Sequence, residues 1–126
     1  MAKNPLLIIT GASRGIGLAT AEQFLAQGYR VINLSRSAPK NSAIEHWPVD
    51  LSHNNWVDAV QAELCAAAAS ADHICLIHNA GLLHNDSVHA LPNAQFAEVL
   101  QVNVMASVQL NQLLLPSMKA GSSILY

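Results

Sequence analysis

Three glycines, Gly11, Gly15 and Gly17, separate an apolar run from an amphipathic one in the stretch LLIITGASRGIGLA. Glycine there permits positive φ and lets a backbone approach a partner with no Cβ in the way. The free N–H groups of a helix opening at Gly15 would then face an anion, aided by the helix dipole. The spacing is G-x-x-x-G-x-G and not the commoner G-x-G-x-x-G, so the loop by itself leaves a phosphate cradle and a tight structural turn both open. The next strand adds a charge. It runs Val31, Asn33, Leu34, Ser35 and ends in Arg36, with no Asp or Glu between Glu22 and Glu45. An acid at that place takes the ribose 2′-hydroxyl of NAD, whereas a guanidinium grips a 2′-phosphate through two charge-assisted hydrogen bonds. Arg14, inside the loop, can meet the same anion from the other side. Singly, either arginine also reads as an ordinary solvated cation. Together they favour NADP(H) over NAD(H).

These residues need a scaffold, and the apolar pattern supplies one. Strands are expected at Leu6–Thr10, Tyr29–Ser35, Ala43–Val49, His73–His78 and Ser122–Tyr126, several of them nearly unbroken aliphatic runs. Such runs suit strands buried on both faces of a parallel sheet. Helical patterns lie between them at Gly15–Gln27, Asn54–Ala69 and Asn93–Lys119. The alternation predicts an α/β fold, a Rossmann-like doubly wound parallel sheet over residues 1–126 that stops after its fifth strand. In the first helix Gly17, Thr20, Ala21, Phe24 and Leu25 form one stripe facing the sheet, and Gly28 stands where a C-cap glycine belongs. In the second, Trp56, Val57, Val60 and Leu64 do the same, with Ser52 as the expected cap. In the third, Phe96, Val99, Leu100, Asn103, Ser107, Leu110 and Leu114 make a core-facing stripe. Val102, Met105, Ala106 and Leu113 make a second apolar face, suited to a large core or another subunit.

Composition removes several function classes. With 52% apolar and 11% charged residues, the chain has the balance of a globular domain and not of a disordered one. A net charge of −2 and the lack of any Lys/Arg run argue against nucleic-acid binding. No apolar stretch approaches the ~20 residues of a bilayer span. The N-terminus is too short in its apolar part for a signal peptide and lacks a cleavage site. Cys65 and Cys75 share no CxxC or metal spacing; a disulfide between them stays open in principle, but two buried free thiols in a reducing compartment are the favoured reading, so a cytoplasmic protein is expected.

Thr10–Gly17 (TGASRGIG), Asp50–Leu51, His78–Gly81 (HNAG) and Val102–Asn103 stand in the order and spacing of the short-chain dehydrogenase/reductase family, which the chain resembles along essentially its whole length. The resemblance corresponds to the N-terminal half of a typical member. It implies that Gly11, Ser13, Arg14, Ile16 and Gly17 cradle the pyrophosphate and adenosine ribose, and that Arg36 meets the 2′-phosphate. It implies that Asp50 accepts from the adenine amino group with Leu51 beside the ring, and that Asn79, Ala80 and Gly81 line the adenosine side. Val102 counts with the cofactor-binding positions. Asn103 would belong to the family's Asn–Ser–Tyr–Lys catalytic set and hold a water in its proton relay. A purely structural Asn tying helix to strand is the alternative. Members commonly dimerise through the helix matching 93–119, so a homo-oligomer is implied.

Two departures stand out. His78 replaces the first Asn of the family's NNAG. The catalytic Ser and Tyr-x-x-x-Lys do not occur in these residues, and Tyr126 belongs to the fifth strand. The expectation is the cofactor-holding half of an NADP(H)-dependent oxidoreductase acting on a small carbonyl or alcohol substrate, inactive as the 126-residue piece. A non-catalytic nucleotide-binding or regulatory module is the second reading. A methyltransferase-like domain is third and is disfavoured by Arg36. His84, Asp86 and His89 share one loop but match no common zinc spacing, so no metal is expected.

Overall fold

A computed structural model describes residues 3–87 and 89–126. In chain order it contains β1 (Pro5–Thr10), α1 (Gly15–Ala26), β2 (Arg30–Ser35), β3 (Glu45–Pro48), a 3-10 turn (Trp56–Ala59) and α2 (Gln61–Ser70). Then follow β4 (His73–Ile77), α3 (Asn93–Leu100), a π-helical turn (Gln101–Met105), α4 (Ala106–Leu114), a 3-10 turn (Leu115–Ser117) and β5 (Ser123–Leu125). The five strands form one parallel sheet in the order β3-β2-β1-β4-β5.

Side chains alternate across the pleat, so consecutive residues of one strand feed two cores. Leu6, Ile8, Ile32, Leu34, Ile74 and Leu76 point to the face covered by α2 and α4, where they meet Leu64, Ala68, Leu110 and Leu114. Leu7, Ile9, Val31 and Cys75 point to the face covered by α1, against Ala21, Phe24 and Leu25. Helices on both faces make the sheet doubly wound, the expected Rossmann-like α/β architecture. The end of α1 follows its sequence signal closely. Gly28 has φ 85°, its N–H donates to Leu25 O (3.0 Å), and the Tyr29 N–H donates to Phe24 O (3.1 Å). That pair is a Schellman cap, and it turns the chain directly into β2.

Five sequence expectations need correction; the smallest is that the fifth strand ends at Leu125 and leaves Tyr126 just outside it. The third strand is four residues long instead of seven, because Asn41 captures the start of it. Its Oδ1 accepts the Ala43 N–H (3.0 Å) and its carbonyl the Ile44 N–H (3.2 Å). This edge strand is tied to β2 by Arg30, whose Nε and Nη2 donate to Glu45 Oε2 and Oε1 (2.5 and 2.9 Å). The second helix is divided: Val60, at φ −128°, ends the Trp56–Ala59 turn before α2 begins. The stripe survives this break, with Trp56, Val60 and Leu64 buried. Ser52 caps no helix; its hydroxyl donates to Asp50 Oδ1 (2.6 Å).

The third helix differs most. It stops at Leu114, where Pro116 has no N–H to return to Gln112 and the chain tightens to 3-10. In its middle the Ala106 N–H bonds Gln101 O, five residues back. This π turn inserts one residue and rotates the helix phase by about 100°. As a result the two proposed stripes exchange members. Leu110 and Leu114 are buried as expected, but Ala106 is buried and Val102 and Leu113 pack on the core with them. Phe96, Leu100 and Asn103, expected inward, are exposed.

Candidate functional site

The C-terminal ends of β1, β2 and β4 meet at one edge of the sheet, the place where open parallel sheets bind ligands. Closure there depends on missing side-chain atoms. Gly11 has φ 70°, and a Cβ on it would lie 3.0 Å from Ala80 Cα. Gly17, buried in the first turn of α1, is more constrained: a Cβ would lie 2.4 Å from Asn79 Nδ2 and 2.5 Å from Gly11 O. Asn79 Nδ2 donates to that same Gly11 O (3.0 Å), and the N–H groups of Asn79 and Ala80 both donate to Thr10 Oγ1 (3.1 and 3.0 Å). The segment after β4 thus locks the glycine loop from below. Gly15, at φ 61° with open space around it, serves the turn alone. No side chain caps α1, so the N–H groups of its first turn are left without a side-chain partner.

In front of this loop lies an open cavity of about 670 Å³. Its walls include Gly11, Ser13 and Arg14 from the loop, Arg36 after β2, Asp50 and Leu51 after β3, Asn79, Ala80 and Gly81 after β4, and Val102 from the π turn. These residues are scattered through the sequence and the fold brings them together. Gly17 sits behind the wall, as its packing role requires. Ile16 is 82% exposed and is not among the residues of the cavity wall.

Asp50 has its charge supported locally. The Ser52 N–H and hydroxyl both donate to its Oδ1 (3.0 and 2.6 Å) and hold its carboxyl below the usual carboxylate range. His53 Nε2 stands 3.4 Å from Oδ2 and adds to this, as does Arg36 more weakly. Asn103 does not line the cavity. Its Oδ1 accepts the Leu82 N–H (2.8 Å) and its Nδ2 donates to Leu82 O (2.9 Å). The amide therefore clamps the loop after β4 onto the π turn.

The sequence reading overlooked Ser35, Ser37 and Glu98 in the cavity wall. Ser35 and Ser37 flank Arg36 and were legible from that alone. Glu98 was not, since its place depends on the phase of α3. His84 Nε2 turns towards Glu98 Oε1 (3.6 Å), and His89 Nδ1 lies by the Ser87 hydroxyl (3.5 Å). The two histidines of that loop thus face different partners.

The profile of the family described as short chain dehydrogenase matches residues 5–124. The chain belongs to the short-chain dehydrogenase family. It is 35% identical to a probable short-chain type dehydrogenase/reductase, VdlC, of Helicobacter pylori, over 90% of this chain and 43% of that one. It is 30% identical to a very-long-chain 3-oxoacyl-CoA reductase of Coccidioides immitis, over 92% of this chain and 37% of the relative. Among solved structures, a short-chain dehydrogenase/reductase from Burkholderia vietnamiensis superposes with a TM-score of 0.84 at 28% identity, covering 96% of this chain and 62% of that one. A Brucella ovis oxidoreductase of the same family, in complex with a partially ordered NAD, gives a TM-score of 0.78 at 31% identity, covering 97% and 61%. The chain spans about half the length of the curated relatives it matches.

Within this member of the short-chain dehydrogenase family, His78 is the departure with the clearest physical consequence. Its Nε2 donates to Asn111 Oδ1 (2.7 Å), Asn111 Nδ2 donates to the Tyr126 hydroxyl (2.8 Å), and the His78 and Tyr126 rings stack at 5.1 Å. Burial pushes the His78 pKa below its ordinary value of 6.5, and the bond to Asn111 opposes this less strongly. A depressed pKa means that the unfolded chain takes up the proton first. Stability is therefore full above about pH 6.5 and falls as pH drops towards the folded value. Thermal melts taken between neutral pH and about pH 5 should show a smaller acid loss in His78→Asn than in the wild type. Parallel curves for the two would remove His78 as the source.

Proposed function

We propose that the cavity binds NADP(H) and that these residues are the cofactor-holding part, a single dinucleotide-binding domain over 1–126, of an oxidoreductase that moves hydride between nicotinamide and a carbonyl or alcohol carbon. Arg36 carries the reading. It stands at the end of β2 where an NAD site places an acid, and it shares the cavity wall with Arg14 and four serines, Ser13, Ser35, Ser37 and Ser52. The cradle also suits a pyrophosphate, because Gly11 and Gly17 leave no Cβ between the loop and its floor.

When bound, NADP(H) supplies the hydride. The chain's part is to orient it. Gly11, Ser13, Arg14 and Gly17 hold or shape the pyrophosphate region, with Ile16 at its outer margin. Asp50 accepts from the adenine amino group beside Leu51, while Asn79, Ala80, Gly81 and Val102 line the adenosine side. Asn103, whose amide is engaged on both sides by Leu82, holds the loop after β4; its place in the family's catalytic set, holding a water of the proton relay, rests on the family resemblance alone. No Tyr-x-x-x-Lys occurs in these 126 residues, so this chain alone binds cofactor without turning over a carbonyl substrate. The exposed residues Phe96, Leu100, Val104 and Val108 recur every four positions and suit a homo-oligomer contact along the helix near 93–119. The protein is taken to work in the cytoplasm; among the described residues no helix is long and apolar enough to cross a membrane.

Titration of the chain with NADPH and NADH, followed by nicotinamide fluorescence, tests the reading. Tighter binding of NADPH is expected. Equal affinities would sink the 2′-phosphate assignment, and binding of neither would sink the dinucleotide site. A second reading, a nucleotide-binding regulatory module, draws support from the Asn103 amide, whose hydrogen bonds all go to backbone. NADPH-dependent carbonyl reduction by the isolated chain would exclude that module and would also overturn the expectation of an inactive piece.

A further inference from the structure

Asn33 sits in the middle of β2, wholly buried between Ile32 and Leu34. A buried amide without partners costs more than a leucine would at such a place. This one has partners on three elements. Its Oδ1 accepts the Ala12 N–H (2.8 Å), which lies inside the glycine loop. Its Nδ2 donates to Ser35 Oγ (2.8 Å) and to His46 Nδ1 on β3 (3.2 Å). The orientation is unambiguous, since the Ala12 N–H can only donate. Ser35 Oγ then donates to Ser37 O (2.8 Å). Arg36 lies between these two serines, in the turn they fold.

A single carboxamide therefore ties the loop at the end of β1 to the turn at the end of β2, without lining the cavity itself. We infer that Asn33 is a positioning residue that couples the pyrophosphate loop to the 2′-phosphate turn, so that affinity for NADP(H) depends on a side chain the cofactor never touches. The inference rests on the NADP(H) reading above for its functional half. Its geometric half is independent of that reading. Fixing both anion-binding segments before the ligand arrives spares the cost of ordering them on binding.

Two variants separate the halves. Asn33→Leu keeps roughly the volume and removes every hydrogen bond, while Ser35→Ala cuts only the branch to the Arg36 turn. In the chain without ligand, amide exchange measured by NMR should show Ala12 exchanging about tenfold faster in Asn33→Leu, the scale of one lost hydrogen bond, with Leu76 in β4 unchanged. Affinity for NADPH should fall about tenfold in the same variant. Ser35→Ala should leave Ala12 protected and lower affinity for NADPH more than for NADH, narrowing the ratio between them. A merely structural Asn would lower the melting temperature and leave both cofactor affinities and that ratio unmoved. Equal Ala12 exchange in wild type and Asn33→Leu overturns the positioning role whichever cofactor the wild type prefers. Should Asn33→Leu fail to fold, an unchanged NADPH:NADH ratio in Ser35→Ala overturns the coupling on its own. A wild type without preference for NADPH overturns the 2′-phosphate reading instead and leaves the exchange result to judge Asn33.

Discussion

Gly17→Ala is expected to abolish measurable dinucleotide binding and to destabilise the chain by on the order of 3 kcal/mol. The methyl it adds has no rotamer to escape into. It would lie 2.5 Å from the Gly11 carbonyl oxygen, 2.4 Å from Asn79 Nδ2 and 3.0 Å from Ala12 Cα. Two of these neighbours are backbone, and the third is held by its bond to Gly11 O (3.0 Å). Relief must come from moving α1 off the loop or from breaking the Asn79–Gly11 bond, which strands a polar group in a part-buried place. Either change opens the cradle. Gly15→Ala is the matching control, because open space surrounds that residue and only its φ of 61° is lost. It should cost about 1–2 kcal/mol and leave the loop closed. Thermal melts and NADPH titration of both variants decide the matter. A Gly17→Ala chain binding NADPH within threefold of wild type would show that the close approach is not needed.

Arg36→Ala is expected to weaken NADPH binding by about ten- to a hundredfold, with the loss falling on NADPH and not on NADH. A guanidinium on a doubly charged phosphate makes two charge-assisted bonds, each stronger than a neutral one. Arg36 is exposed, so screening places the effect at the low end of that range in high salt and at the high end in dilute buffer. The wild-type preference for NADPH should therefore shrink as ionic strength rises, and the variant should show little salt dependence of its cofactor ratio. Equal losses for NADPH and NADH in Arg36→Ala would move the guanidinium from the 2′-phosphate to the pyrophosphate.

The parts of the molecule legible in sequence are those governed by local chemistry. Gly28 announced a helix end because only a residue at home with positive φ completes a Schellman cap, and the strands announced themselves by unbroken aliphatic runs. The glycine loop and Arg36 were legible because each follows a strand directly. What escaped was set by contacts distant in sequence. The π turn leaves no mark in the 3.6-residue pattern, yet it decides that Ala106 is buried and that Phe96 and Leu100 are not. Ser52 looked like a cap because its residue type favours caps, but Asp50, two residues before it, is the stronger partner. Asn33 read as one more strand residue, since nothing within β2 reveals that Ala12 lies beside it.

The order of synthesis gives the locked floor of the glycine loop another meaning. Gly11 and Asn79 are 68 residues apart, and β1 pairs with β4 as well as with β2. A nascent chain that has made β1, α1 and β2 thus still holds an unfinished loop with a raw sheet edge beside it. Closing so long an intervening segment costs entropy that only the completed β4 repays. The cavity in front of the loop therefore cannot close until β4 and the segment after it have been made, long after the glycines that begin it. A dinucleotide bound there would grip only chains whose sheet centre has already closed, and would pull them away from partly folded forms that aggregate.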